Sequence, residues 1–150
     1  MRVAFASDHA GWPLRSRVFA ELAALGHELV DVGSPEMVPG DDYPDVALAV
    51  SRAITSERAE RGVLVCGSGV GAAIAANKVA GIRACMCHDS FSARQGVEDD
   101  DMNILCMGGR TVGPEVAWEF VETYLASEFS QAERHLRRLS KVAALEEVTK

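Results

Sequence analysis

Cys66 stands directly before Gly67-Ser68-Gly69-Val70-Gly71, at the end of a short apolar run. A thiol aimed at the start of a helix loses its proton more readily, which suits a general base or a nucleophile. Glycine lets the backbone approach a ligand closely, and free amides at a helix start favour an anion. The spacing is GxGxG, so neither the dinucleotide fingerprint nor the Walker phosphate loop is matched. The same segment also reads as a tight strand–helix turn whose glycines serve packing, and a lone strand cysteine is by default a core residue. Its position against the turn tips Cys66 towards chemistry. Cys85, Cys87 and Cys106 have no such turn after them and are expected to pack.

Other groups surround this one in the pattern of types. Asp8-His9 closes the first apolar run. A carboxylate beside an imidazole can orient a hydroxyl, move a proton, or bind phosphate when the histidine is charged. Asp8 also suits the capping of the helix that follows. Arg134 and Arg138 lie four apart and therefore share one helical face, where two guanidinium forks suit phosphate. A solvated basic face is the plainer meaning of that run. Arg110, in Gly108-Gly109-Arg110, is a third candidate cation. Glu98-Asp99-Asp100-Asp101 could hold a divalent cation, but surface solvation explains four acids more simply, and no metal is expected. His88, at the end of a predicted strand, suits the edge of a site.

The elements that must position these groups alternate in period. Strands are predicted at Arg2–Ser7, Glu28–Val32, Gly62–Cys66, Ile82–Cys87 and Asn103–Met107. Helices are predicted at Pro13–Leu25, from Pro44 to about Glu57, Ala72–Lys78, from Asp89 or Ser90 to about Val97, Pro114–Leu125 and Gln131–Val148. Five strands with helical crossovers predict one domain, an α/β Rossmann-like three-layer sandwich around a parallel sheet of order 2-1-3-4-5. Ligands of such sheets sit beyond the carboxyl ends of the strands where strand order reverses. That puts Asp8–Gly11 and Cys66–Gly71 on opposite sides of one crevice.

Composition narrows the partners. The chain has 150 residues, 48% of them hydrophobic, and 15 basic against 22 acidic side chains give a net charge of −7. That balance argues against general nucleic-acid binding. The first residues lack the apolar run of a signal peptide, and no apolar stretch reaches the length of a membrane span. The four cysteines show no CxxC pair, so free thiols in a reducing cytoplasm are expected.

Ser7-Asp8-His9-Ala10-Gly11, Asp42-Tyr43-Pro44, Cys66–Gly71, Ala75-Ala76-Asn77-Lys78, Gly81-Ile82-Arg83-Ala84 and Arg134-His135 with Arg138 occur in order. This ordered set resembles the RpiB/LacAB family of sugar-phosphate isomerases over nearly the whole chain. The resemblance implies aldose–ketose interconversion through a cis-enediolate, without metal or other cofactor, in dimers or tetramers with sites at subunit interfaces. It implies Cys66 as the base, amides of Gly67, Gly69 and Gly71 on the oxyanion, Ser68 on a substrate oxygen, and Asp8 on hydroxyls or the ring oxygen. It implies His9, Arg110, Arg134 and Arg138 on the phosphate, with His135 beside them, some from the neighbouring subunit. Tyr43 would line the pocket.

One departure bears on substrate. Where the family reads His-Asn-Asp-x-Asn, this chain reads Asp99-Asp100-Asp101-Met102-Asn103. The family's histidine, credited with furanose ring opening, is here Asp99, left as a possible acid/base, and the adjacent asparagine is Asp100. A ribose 5-phosphate must be opened before isomerisation, unless His135 or His88 serves instead. A tetrose 4-phosphate has its 4-oxygen esterified and needs no opening. A pentose phosphate is the expected substrate and a tetrose phosphate the contender. A non-catalytic phosphosugar-binding subunit is a further alternative, disfavoured by Cys66. Dinucleotide binding, with Asp89 on a ribose, is disfavoured by the missing GxGxxG.

Overall fold

The computed structural model describes residues 1–147. Its elements are β1 (Arg2–Ser7), α1 (Trp12–Ala24), β2 (Glu28–Asp31), α2 (Tyr43–Thr55), β3 (Arg61–Cys66), α3 (Val70–Ala76), β4 (Ala84–Met86), α4 (Ser90–Asp100), β5 (Ile104–Gly108), α5 (Pro114–Ala126) and α6 (Glu133–Glu147). Their sequence is the expected one, with boundaries moved by a few residues. The acidic run closes α4 instead of preceding β5 as a loop. Val148, the expected end of the last helix, lies outside the described residues.

All five strands are parallel, in the order β2-β1-β3-β5-β4. This corrects the expected 2-1-3-4-5. Every residue of β5 is buried, whereas β4 is three residues long and exposes Cys85. A strand apolar on both faces takes the inner place, and the short one is left at the edge. Asn77 and Asn103 satisfy the backbone around β4. The Asn77 amide donates to the Ala84 carbonyl (2.7 Å) and accepts from the Ala84 N–H (2.8 Å). Asn103 accepts from the Arg83 N–H (2.8 Å) and donates to the Gly81 carbonyl (2.9 Å).

The period-2 alternation of β1 sends Val3 and Phe5 into one core and Ala4 and Ala6 into another. The first core is closed by α1, α4 and α5, the second by the alanine-rich faces of α2 and α3. Full burial of each large apolar side chain contributes about 1.5–3 kcal/mol.

Strand order reverses between β1 and β3, which opens the crevice there as expected. Ser7 pairs in register with Val65, and Cys66 with Gly108, so β1, β3 and β5 end together at one carboxyl edge. The crossover α4 runs back to the amino edge; its 11 residues cover about 16 Å. The last turn of α4, and whatever packs on it, therefore lies at the end of the sheet opposite Cys66.

Candidate active site

Asp8 is buried, and its Oδ1 accepts the Gly11 N–H at 2.8 Å. It closes the loop ahead of α1 and does not cap the helix itself, whose N-cap is Gly11. The Asp8 N–H extends the sheet by donating to the Val65 carbonyl (3.1 Å). His9 is half-buried and tied to Asp41, whose Oδ1 lies 2.9 Å from the His9 backbone nitrogen and 2.6 Å from Nδ1.

On the β3 side Cys66 is buried, 5% exposed, and packs with the core on the α2–α3 face. Its Sγ accepts the Gly69 N–H at 3.1 Å. Gly69 has φ +86°, a left-handed conformation that side chains other than glycine's rarely adopt, and this curl swings the amide back onto the sulfur. The Gly71 and Ala72 amides have no backbone acceptor among the described residues, because the first bond of α3 runs from the Ala73 N–H to the Gly69 carbonyl (3.0 Å). Ser68 is exposed, and its hydroxyl sits 3.4 Å from the Val70 nitrogen.

A third loop joins these two. The Gly109 N–H donates to the Cys66 carbonyl (2.7 Å) and the Arg110 N–H to the Gly67 carbonyl (3.1 Å). Backbone meets backbone there: a Cβ on Gly108 would fall 2.6 Å from the Ser68 Cα. The exposed Arg110 side chain lies along Gly67, with Cδ and Cζ within 3.9 Å of the place a Cβ would occupy. The Tyr43 ring lies on Gly71, 2.8 Å from that glycine's Cβ position. One edge thus gathers Asp8, His9, Tyr43, Cys66, Gly67, Ser68, Gly69, Gly71 and Arg110.

The remaining predicted residues gather elsewhere. Asp99 lies in the last turn of α4, and its Oδ1 is 3.3 Å from Nε2 of His135 on α6. Ser130 Oγ lies 2.7 Å from the other ring nitrogen, and Arg134 Nε donates to Nε2 at 2.8 Å. His135 is buried in this cluster, whereas Arg134 and Arg138 are exposed. Asp100 lines a cavity of about 910 Å³ between α4, β4 and α6, together with Arg83, Cys85 and Leu139. Within one protomer the protein does not bring Asp99, Asp100, Arg134, His135 or Arg138 to Cys66. The acidic run is spent on ion pairs, Glu98 with Arg94 and Asp101 with Arg83, and no group able to hold a metal occurs among the described residues. His88 is exposed at the end of β4.

Residues 3–142 match the family model for ribose/galactose isomerases. The putative sugar phosphate isomerase YwlF of Bacillus subtilis is 42% identical over 147 residues, 98% of each chain. The ribose-5-phosphate isomerase B of Clostridium thermocellum superposes with TM-score 0.96 at 39% identity, over 100% of both chains. A D-erythrulose-4-phosphate isomerase of Pectobacterium atrosepticum is 35% identical over 129 residues, covering 86% of this chain and 85% of that one. The chain belongs to the ribose/galactose isomerase family.

In this isomerase-family chain, Asp41 is the site residue that sequence reasoning missed. Its partner lies 32 positions away in sequence, and no local pattern couples Asp41 to His9. The neighbouring Tyr43 was legible only as part of Asp42-Tyr43-Pro44.

Proposed function

We propose that this chain interconverts an aldose phosphate and its ketose, of the ribose 5-phosphate/ribulose 5-phosphate type, through a cis-enediolate. The observation that carries this reading is the Cys66 sulfur held by the Gly69 amide (3.1 Å) at the carboxyl edge of the sheet, where Arg110 lies along Gly67 and Asp8 ends the neighbouring strand. Cys66 takes the proton from C2 of the open aldose while the C1 carbonyl oxygen gains the charge. The Gly71 amide and its neighbours face that oxyanion, and Ser68 donates to a substrate oxygen. Passing the 2-hydroxyl proton to O1 and returning the carbon-bound proton to C1 leaves the carbonyl at C2 and a hydroxyl at C1. Asp8 holds hydroxyls, and His9 and Arg110 hold the phosphate.

The site reads as one completed by a second copy of the chain in a homodimer working in the cytoplasm. Ser68, Tyr43 and Arg110 are exposed in the protomer, and so are Val70 (46%) and Ile74 (60%) on the adjoining α3. A second copy would cover them and supply Arg134 and Arg138. Asp99 and Asp100 would come from that copy as well.

A tetrose phosphate is the second reading. It is supported by Asp99 standing where ring opening needs a histidine, and by the similarity to an erythrulose-phosphate isomerase. Turnover of ribose 5-phosphate against erythrose 4-phosphate decides between them: preference for the pentose removes the tetrose reading, and the reverse removes the pentose. Cys66→Ala is expected to lower kcat roughly two to four orders of magnitude on the preferred substrate while the far-UV dichroism stays unchanged. Near-normal turnover in that variant overturns Cys66 as the base.

A further inference from the structure

The geometry points to Asp41 as the residue that positions His9 for the phosphate, a role that rests on the isomerase reading above. One carboxylate oxygen of Asp41 meets both the His9 backbone nitrogen (2.9 Å) and Nδ1 (2.6 Å), which closes a ring around the side chain and fixes its rotation. With Nδ1 engaged, Nε2 is the ring nitrogen left for a ligand, and no partner for it occurs among the described residues. An imidazole whose two nitrogens are assigned by an outer carboxylate presents one defined donor, as in other sites where a second group sets the tautomer.

The surroundings show why such a clamp is needed. Asp41 belongs to the long connection between β2 and α2, whose residues 35–40 are exposed. Two contacts pin that connection across the crevice: Asp41 on the β1 side and Tyr43 on Gly71 of the β3 side. His9 itself follows the last β1 residues and is 35% exposed at its side chain, so packing alone does not hold the ring. An unpaired carboxylate near a phosphate would repel it; tied to His9, Asp41 instead aims a donor at it. Asp8, the other carboxylate beside His9, makes no contact with its ring; its Oδ1 accepts the Gly11 N–H.

Asp41→Ala is expected to raise KM for the phosphosugar roughly tenfold and to weaken inhibition by inorganic phosphate equally, with kcat changed less than about twofold. Asp41→Asn keeps an acceptor oxygen and is expected to restore most of the loss. A proton NMR spectrum of the unliganded protein reads the contact without turnover. A protected downfield Nδ1–H signal, assigned by its absence in His9→Gln, should persist in Asp41→Asn and vanish in Asp41→Ala. Identical ring signals in the parent protein and Asp41→Ala overturn the contact and leave the isomerase reading standing. A lost signal with KM and phosphate inhibition unchanged overturns the phosphate role of His9, and the positioning role with it.

Discussion

At the carboxyl edge of the sheet, Cys66, Asp8 and Arg110 are placed by main-chain amides: Gly69 N–H on the sulfur, Gly11 N–H on the carboxylate, Gly109 and Arg110 N–H groups on the turn carbonyls. At the amino edge, Asp99, His135, Ser130 and Arg134 meet through their side chains, with one backbone bond, from the Ser130 N–H to the Glu98 carbonyl (3.0 Å), joining the two segments. A backbone-built site is rigid because its parts belong to the ladder, and it tolerates almost no added atoms. A side-chain cluster can exchange members if the partners adjust. The departure from the family pattern, at Asp99 and Asp100, falls in the second region, while the Cys66 turn keeps the pattern whole. In the proposed reaction, a change of substrate preference at one end leaves proton transfer at the other undisturbed.

The two edges belong to a common site only if two protomers meet. A mixing experiment breaks or sharpens this with the largest effect. Cys66→Ala and the double variant Arg134→Ala/Arg138→Ala should each lose most kcat/KM alone. After subunit exchange of equal amounts, random pairing should restore about a quarter of the parent kcat/KM, because half the dimers then carry one complete site. A mixture that stays inactive although exchange is shown by mass would separate the two regions functionally.

A stability contrast comes next in size. Gly108→Ala places its Cβ 2.6 Å from the Ser68 Cα, a backbone atom with no room to yield, and should cost about 3 kcal/mol in urea unfolding. Asp99→Asn keeps a hydrogen-bonding group beside His135 and should cost about 1 kcal/mol. Equal costs would remove the distinction between a backbone-built and a side-chain-built edge.

Most of the architecture could be read from residue order, because a parallel crossover unit has a local signature in alternating periods. The carboxyl-edge site was legible for the same reason: its residues directly follow predicted strands, and topology alone brings strand ends together. What stayed hidden was non-local. No residue in the β3–α3–β4 or β4–α4–β5 connection states which strand lies beside β3, so β4 and β5 exchanged places. Cys85, expected to pack because no helix-opening turn follows it, is exposed, since its strand lies at the sheet edge. Asp41 was invisible because its partner is fixed only by the folded path of a long loop.

Cys85 also allows the smallest and cleanest comparison of the two regions, one thiol against another. Where the Cys66 sulfur accepts a backbone amide, the Cys85 thiol reaches the Met86 carbonyl (3.5 Å) and its titration is set chiefly by the Cys87 side chain. A hydrogen bond from Cys87 lowers the Cys85 thiol to about 7, against the opposing effects of burial and of Asp100 and Asp89. Cys87 is pushed up by the same bond and by burial, and Cys106 is pushed up chiefly by burial. Because the thiolate is the reactive form, the iodoacetamide labelling rate of Cys85, read by peptide mass, should rise through neutrality and level off above about pH 8. An ordinary cysteine would still be climbing there, with its midpoint near about 8.5. Cys87→Ala removes the donor, so the Cys85 midpoint should move upward towards that value. A midpoint unmoved by the loss of Cys87 would mean that this thiol owes nothing to its side-chain neighbour, and the contrast with the amide-held Cys66 would fail at this pair.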